Sequence, residues 1–244
     1  MRARISRGVA AVLAVSALSL TAACGGGAED EAAKGGADAP AAPSATSAEP
    51  TPEAPAAPLT EAQMKAALLE LKDLPSGWKT TKHEESTGGY KTDKAECQDL
   101  AAMLGSNSID DAAKGPSAGF VIGNNASEIS EQVVTFEGTG AADYVTKLSA
   151  ALDACKEMTV EADGQKMKLT VKKGTAPQGL EQGIAFTLGL EVLPGITIEP
   201  NFVIGSQGTG VFRFMLLADS AAAKKDFDAL GKLATDKFVK AVQG

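Results

Sequence analysis

Histidine is nearly absent from this sequence of 244 residues, since His83 is the only one. A Ser-His-Asp triad therefore has one possible centre, and no serine stands in the Gly-x-Ser-x-Gly context of a nucleophile elbow. His83 and Glu85 could converge on an extended chain as a general base or as one arm of a metal site. A single imidazole beside Lys82 and Glu84 is more typical of a solvated surface residue. We therefore predict a protein that is not an enzyme and that has no cofactor or metal site.

The sequence also lacks an excess of positive charge, because its formal net charge is −8 and no basic stripe interrupts it. An acidic chain repels phosphate backbones, so nucleic acid binding is excluded as a predicted function. Long apolar runs are missing as well. After the first 23 residues, no segment reaches the roughly 20 apolar residues that a membrane-spanning helix needs.

Cysteine occurs three times, and Cys24 follows a leader. Three arginines precede the apolar segment Gly8–Leu20, and the small residues Ala22-Ala23 end it, which predicts a signal peptide over residues 1–23. A cysteine at this place resembles a bacterial lipobox, with Thr21 where leucine is more usual. The resemblance implies a diacylglyceryl group on Cys24, whose two acyl chains would anchor the protein at the extracytoplasmic face of the cell membrane. An ordinary secreted protein is the alternative.

The leader is followed by a low-complexity tract and then by a domain-sized segment. Apart from Cys24 and Lys34, residues 24–58 consist of Gly, Ala, Pro, Ser, Thr and acids, a composition that cannot build a core and predicts a disordered tether. Residues 59–244 are sufficient for one globular domain with its own core.

Apolar periodicity predicts an α+β fold for this domain. Helices with one apolar stripe are expected near residues 60–74, 94–104, 141–155 and from about 220 to the end. Strands are expected near 120–122, 132–136, 158–161, 166–173, 184–192, 196–198 and 211–217. Asp163-Gly164 and Pro194-Gly195 are turn signals between neighbouring strands. The predicted architecture is a twisted antiparallel sheet with helices packed on one face.

Cys97 and Cys155 remain once Cys24 is assigned to the lipid anchor. Outside the cell the redox environment favours a disulfide between them, and each lies on the apolar stripe of its predicted helix. A redox or metal site is less well supported, because no histidine pair accompanies the two thiols. We predict a structural disulfide that joins the two helices.

Three further motifs favour structural or surface roles. The glycine-rich run Gly205–Gly210 lacks the Lys-Ser/Thr ending of a phosphate-binding loop and precedes a strand, so it is interpreted as a loop between strands. Asp110-Asp111 lacks the spaced ligands of a calcium loop and is interpreted as surface acid. Asn125 starts a glycosylation pattern, which has little weight in a bacterial lipoprotein.

The order of these features resembles a known family. A helix ends at Leu74–Trp78, and a helix that carries a cysteine follows. The strand Val133–Phe136 then precedes a helix that starts at Ala141–Tyr144 and ends at Cys155, and a late strand contains Arg213. This order resembles the actinobacterial lipoproteins whose outer domain is similar to the extracytoplasmic sensor domain of PknH-type serine/threonine kinases. The resemblance implies a cleft-bearing domain that binds an unidentified ligand, with signalling left to a separate partner.

The leading functional hypothesis is a non-catalytic ligand-binding or sensor-like module. Its ligand is expected between sheet and helix, in contact with Ile184, Phe186, Leu188 and Leu190, although each of these residues is also a typical core residue. The alternatives are a lipid or glycolipid carrier with an apolar cavity of several hundred Å³, and a structural or partner-binding envelope protein with an exposed apolar patch. The expected partners are thus the membrane and an unknown small molecule, lipid or envelope protein.

Overall fold

The computed structural model describes residues 57–82, 90–105, 109–123, 127–162, 164–218 and 225–244. The predicted signal peptide, the lipid attachment site Cys24 and nearly all of the predicted tether lie outside the described residues. His83–Glu85, Asn125, Asp163 and the expected start of the last helix near residue 220 lie outside them too. No helix in the described part is long and apolar enough to cross a membrane.

The described chain forms α-helices and strands that we number in chain order. The helices are α1 (Glu61–Ala67), α2 (Gln98–Gly105), α3 (Gly140–Ala154) and α4 (Phe227–Gln243). The strands are β1 (Lys79–Thr81), β2 (Lys91–Thr92), β3 (Ser117–Ile122), β4 (Ser127–Thr135), β5 (Glu157–Ala162), β6 (Gln165–Gly174), β7 (Gln182–Leu193), β8 (Ile196–Ile198), β9 (Asn201–Gln207) and β10 (Gly210–Leu217).

All ten strands belong to one antiparallel sheet. Its order is β1-β3-β4-β10-β9-β7-β6-β5-β2, and β8 pairs with β7 outside this path. The predicted strands are confirmed, including the central position of β10 between β4 and β9. Gly195 has a positive φ of 78°, as the turn between β7 and β8 requires. Strand β9 and the short strands β1 and β2 were not predicted from the sequence.

Helices cover both faces of this sheet, whereas the sequence analysis expected them on one. On the first face, α1 and α4 pack over Val133, Val203 and Phe212. On the second face, α2 and α3 pack over the side chains of alternate positions, such as Val134 and Ile204. An amphipathic helix shows that one of its sides is buried, but its sequence does not say against which face of a sheet. The α+β class and the antiparallel sheet are confirmed.

The first helix is shorter than predicted because a distant acid interrupts it. It begins with a capping box between Thr60 and Gln63, as expected, and ends at Ala67. The amide of Leu69 then donates to the buried Glu131 carboxylate at 2.7 Å instead of to a helical carbonyl. A short 3₁₀ turn, Leu71–Asp73, follows, and Leu71 is exposed rather than part of an apolar stripe.

The predicted disulfide is confirmed between Cys97 and Cys155, whose Cα atoms lie 5.8 Å apart. Both residues are 1% exposed. Cys97 ends a 3₁₀ turn directly before α2, and Cys155 caps the C-terminus of α3. The bond therefore joins the start of one helix to the end of the other on the second face of the sheet.

Candidate functional site

The predicted ligand face lies inside the core. Ile184, Phe186, Leu188 and Leu190 share the second face of β7 and are all buried. Ile184 also borders a cleft of about 460 Å³ that Gln182 and α3 help to form. Phe186 stacks on Phe202 of β9 at a ring distance of 4.9 Å. The contact of these four residues with a ligand stays a prediction.

Next to this buried region, the same face carries a strip of half-buried side chains on the central strands. We call it the central strip, and it consists of Ser130, Gln132, Phe202, Arg213 and Met215. In the strand register, Arg213 of β10 lies directly opposite Gln132 of β4. Met215 of β10 lies between Ser130 of β4 and Phe202 of β9. The strip thus combines polar side chains with the apolar side chains of Phe202 and Met215.

Arg213 is the only arginine after the leader. Its guanidinium donates from Nη2 to the carbonyl oxygen of Met103 near the end of α2, at 3.3 Å. Its charge also reaches Tyr144 of α3: burial raises the pKa of the Tyr144 hydroxyl, and the Arg213 charge acts against that rise. A planar guanidinium with five donors matches carboxylate and phosphate groups, so this position suits an anion.

From the sequence, Arg213 was identified only as part of the late strand. The available signal was its setting, because Arg213 is the one charged residue in the apolar run Val211–Leu217. A charge within a central strand is costly to bury and is therefore a sign of a specific role.

A second polar group lies on the opposite face and was also missed. Glu131 of β4 is 0% exposed, and its Oε1 atom has no hydrogen-bond partner within the described structure. Burial raises the pKa of this carboxyl to about 8, although the Leu69 N–H and the Lys237 charge lower it. Nearby, Lys237 of α4 pairs with Asp73 at 2.6 Å. The arrangement connects the segment after α1 with β4 and α4, which indicates a structural role.

Two further motifs from the sequence analysis lie within the described residues. Gly205 and Gln207 belong to β9, so only Gly208-Thr209 forms the turn, which corrects the loop interpretation of Gly205–Gly210. Asp110 and Asp111 are exposed, as expected. In the part of the chain that the structure describes, no three His, Cys, Asp or Glu side chains come close enough to hold a metal ion.

Comparisons with known proteins support the fold. No protein-family model and no curated protein matches the chain. Among solved structures, the extracellular domain of PknH from Mycobacterium tuberculosis is similar, with a TM-score of 0.56 and 16% identity over 77% of this chain and 99% of that one. The Rv0999 ortholog from Mycobacterium smegmatis has a TM-score of 0.43 and 12% identity over 74% and 97% of the two chains. The chain therefore has the fold of the PknH extracellular domain, as its order of features predicted.

Proposed function

We propose that this protein is a non-catalytic, sensor-like binding module, anchored through a lipid on Cys24 at the extracytoplasmic face of the cell membrane. We further propose that its ligand carries an anionic group that Arg213 binds. The observation that carries the proposal is the place of Arg213, half-buried on the central strand β10 of an acidic protein.

The surroundings of Arg213 support an amphipathic anion as the ligand class. Ser130 and Gln132 are polar residues of the neighbouring strand β4 on the same face as Arg213, and Phe202 and Met215 are its apolar neighbours there. Small-molecule sites typically combine an apolar lining with a few polar groups that fix the orientation of the ligand. The fold similarity to an extracellular domain is consistent with a location outside the cytoplasm.

A carrier that encloses a whole lipid is less well supported. Several clefts that described residues border, of about 390 to 530 Å³, are open rather than enclosed. The central strip likewise offers one half-buried surface, which suits the recognition of a ligand better than its complete enclosure.

Native mass spectrometry tests the proposal on the full chain, extracted in mild detergent from the producing bacterium. We expect wild type to carry a stoichiometric anionic ligand, and Arg213→Met to bind it at least about tenfold more weakly, the equivalent of about 1.4 kcal/mol. Lys172→Met is the matched control, because it removes one positive charge from an exposed position of the same sheet. Wild type without a ligand, or equal occupancy in Arg213→Met, would contradict the proposal.

A further inference from the structure

The hairpin of β7 and β8 exposes a group of aliphatic side chains. Leu193, Ile196 and Ile198 are 60%, 53% and 37% exposed, and all three residues of β8 are open to solvent. Singly exposed apolar residues are common, but a neighbouring group of them marks an interaction surface. No charged residue occurs between Glu191 and Glu199.

Among the described residues, strand β8 is also an edge strand, because it pairs with β7 alone. The carbonyl of Pro200 accepts from the Leu188 amide across this ribbon at 3.0 Å. Because backbone groups of an antiparallel strand alternate in direction, Thr197, three residues before Pro200, turns its N–H and C=O away from β7. An outward N–H and C=O are what a further strand needs in order to pair.

The sequence around Thr197 is close to symmetric, with Ile196 and Ile198 on either side and Pro194 and Pro200 three residues away in each direction. We propose that β8 is the interface between two copies of this chain, paired antiparallel about a two-fold axis at Thr197. In this register Thr197 faces its own counterpart, and the two exchange both backbone hydrogen bonds.

Side-chain chemistry fits self-pairing. Each Ile196 faces the Ile198 of the other copy, so four isoleucines meet on one face of the joined sheets, next to the two copies of Leu193. Glu199 faces Gly195 of the other copy, so no like charges stand opposite one another. A two-fold axis makes every favourable contact occur twice, as in most homodimers.

A cysteine cross-link tests the register in the full chain on the producing cells. Thr197→Cys should yield a chain of twice the mass on a non-reducing gel, because directly paired residues have a Cα separation suited to a disulfide. Glu199→Cys is the matched control. It is equally exposed, but its two copies would lie about 13 Å apart along the strands, so it should remain monomeric.

Adding Ile196→Lys and Ile198→Lys to Thr197→Cys should reduce the dimer band at least tenfold, because charged residues prevent pairing at sheet edges. Both isoleucines are exposed, so the fold is expected to tolerate lysine there. The proposal would be overturned if Thr197→Cys stayed monomeric, or if Glu199→Cys cross-linked equally well. It would also be overturned if Thr197→Cys formed an adduct with a protein of another mass. Light scattering on wild type should give twice the monomer mass. The variant with both isoleucines changed to lysine should give the monomer mass.

Discussion

Glu131 and Arg213 lie on the neighbouring strands β4 and β10 but on opposite faces of the sheet, and they meet the cost of burial differently. A carboxyl group can stay neutral by keeping its proton. The pKa of Glu131 is raised to about 8, so its side chain is neutral below that pH and can be fully buried. A guanidinium does not lose its charge in proteins. Arg213 accordingly stays half-exposed and hydrogen-bonded. The buried Glu131 therefore fits a structural role, and the partly exposed Arg213 fits the proposed role in ligand binding.

Glu131→Gln should change how stability depends on pH. Because the pKa of Glu131 is raised from 4.5 to about 8 in the folded protein, its contribution to stability is complete below pH 4.5 and is lost as pH rises through about 8. Glutamine still accepts the Leu69 N–H and never ionises. We expect the variant to be more stable than wild type above pH 8, by roughly 3 to 5 kcal/mol.

Urea unfolding at pH 5, 7 and 9 measures this difference. Glu137→Gln is the control, because Glu137 is an exposed carboxylate just beyond the same strand. A free energy of unfolding that falls with pH equally in wild type and Glu131→Gln would show that another group is responsible.

At the scale of elements, the sequence predicted what local periodicity determines. The alternation of Met167, Leu169 and Val171 with lysines and threonine was sufficient to place β6, and the stripe of α3 was correct within one residue at each end. The end of α1 was not predictable in this way, because it depends on Glu131, which lies 62 residues from Leu69. The central strip was missed for a similar reason, since register alone brings Gln132 beside Arg213.

The disulfide is the element-scale bond whose removal is simplest to predict. It closes a loop with a sequence separation of 58, so in the chain-entropy model it stabilises the fold by about 4 kcal/mol. Cys97→Ser should lower the free energy of unfolding by that amount, and the double change Cys97→Ser with Cys155→Ser should lower it equally. Thermal and urea denaturation provide the comparison. Clearly unequal losses would mean that the two cysteines do not act as one bond.

At the scale of the whole molecule, the described domain is built on one antiparallel sheet with helices on both faces. The fold is that of an extracellular domain from another protein, and within it Ala57 accepts a hydrogen bond from Thr209 at the turn between β9 and β10. The β7–β8 turn lies at the other end of the β8–β9 ribbon. Within the described domain, the exposed strand β8 and the contact between Ala57 and Thr209 therefore lie at opposite ends of this ribbon.

Replacement of Cys24 tests the anchor itself. Two acyl chains bind a bilayer firmly, because each buried methylene contributes about 0.8 kcal/mol, so the wild-type chain should sediment with membranes and resist a carbonate wash. Cys24→Ala removes the only thiol at the predicted lipobox and should release the protein into the medium, whereas Ser44→Ala in the predicted tether should stay anchored. Mass spectrometry of the N-terminal peptide should show Cys24 as the first residue with a diacylglyceryl group attached. A Cys24→Ala chain that still sediments with membranes would rule out the lipid anchor and, with it, the membrane half of the proposed function.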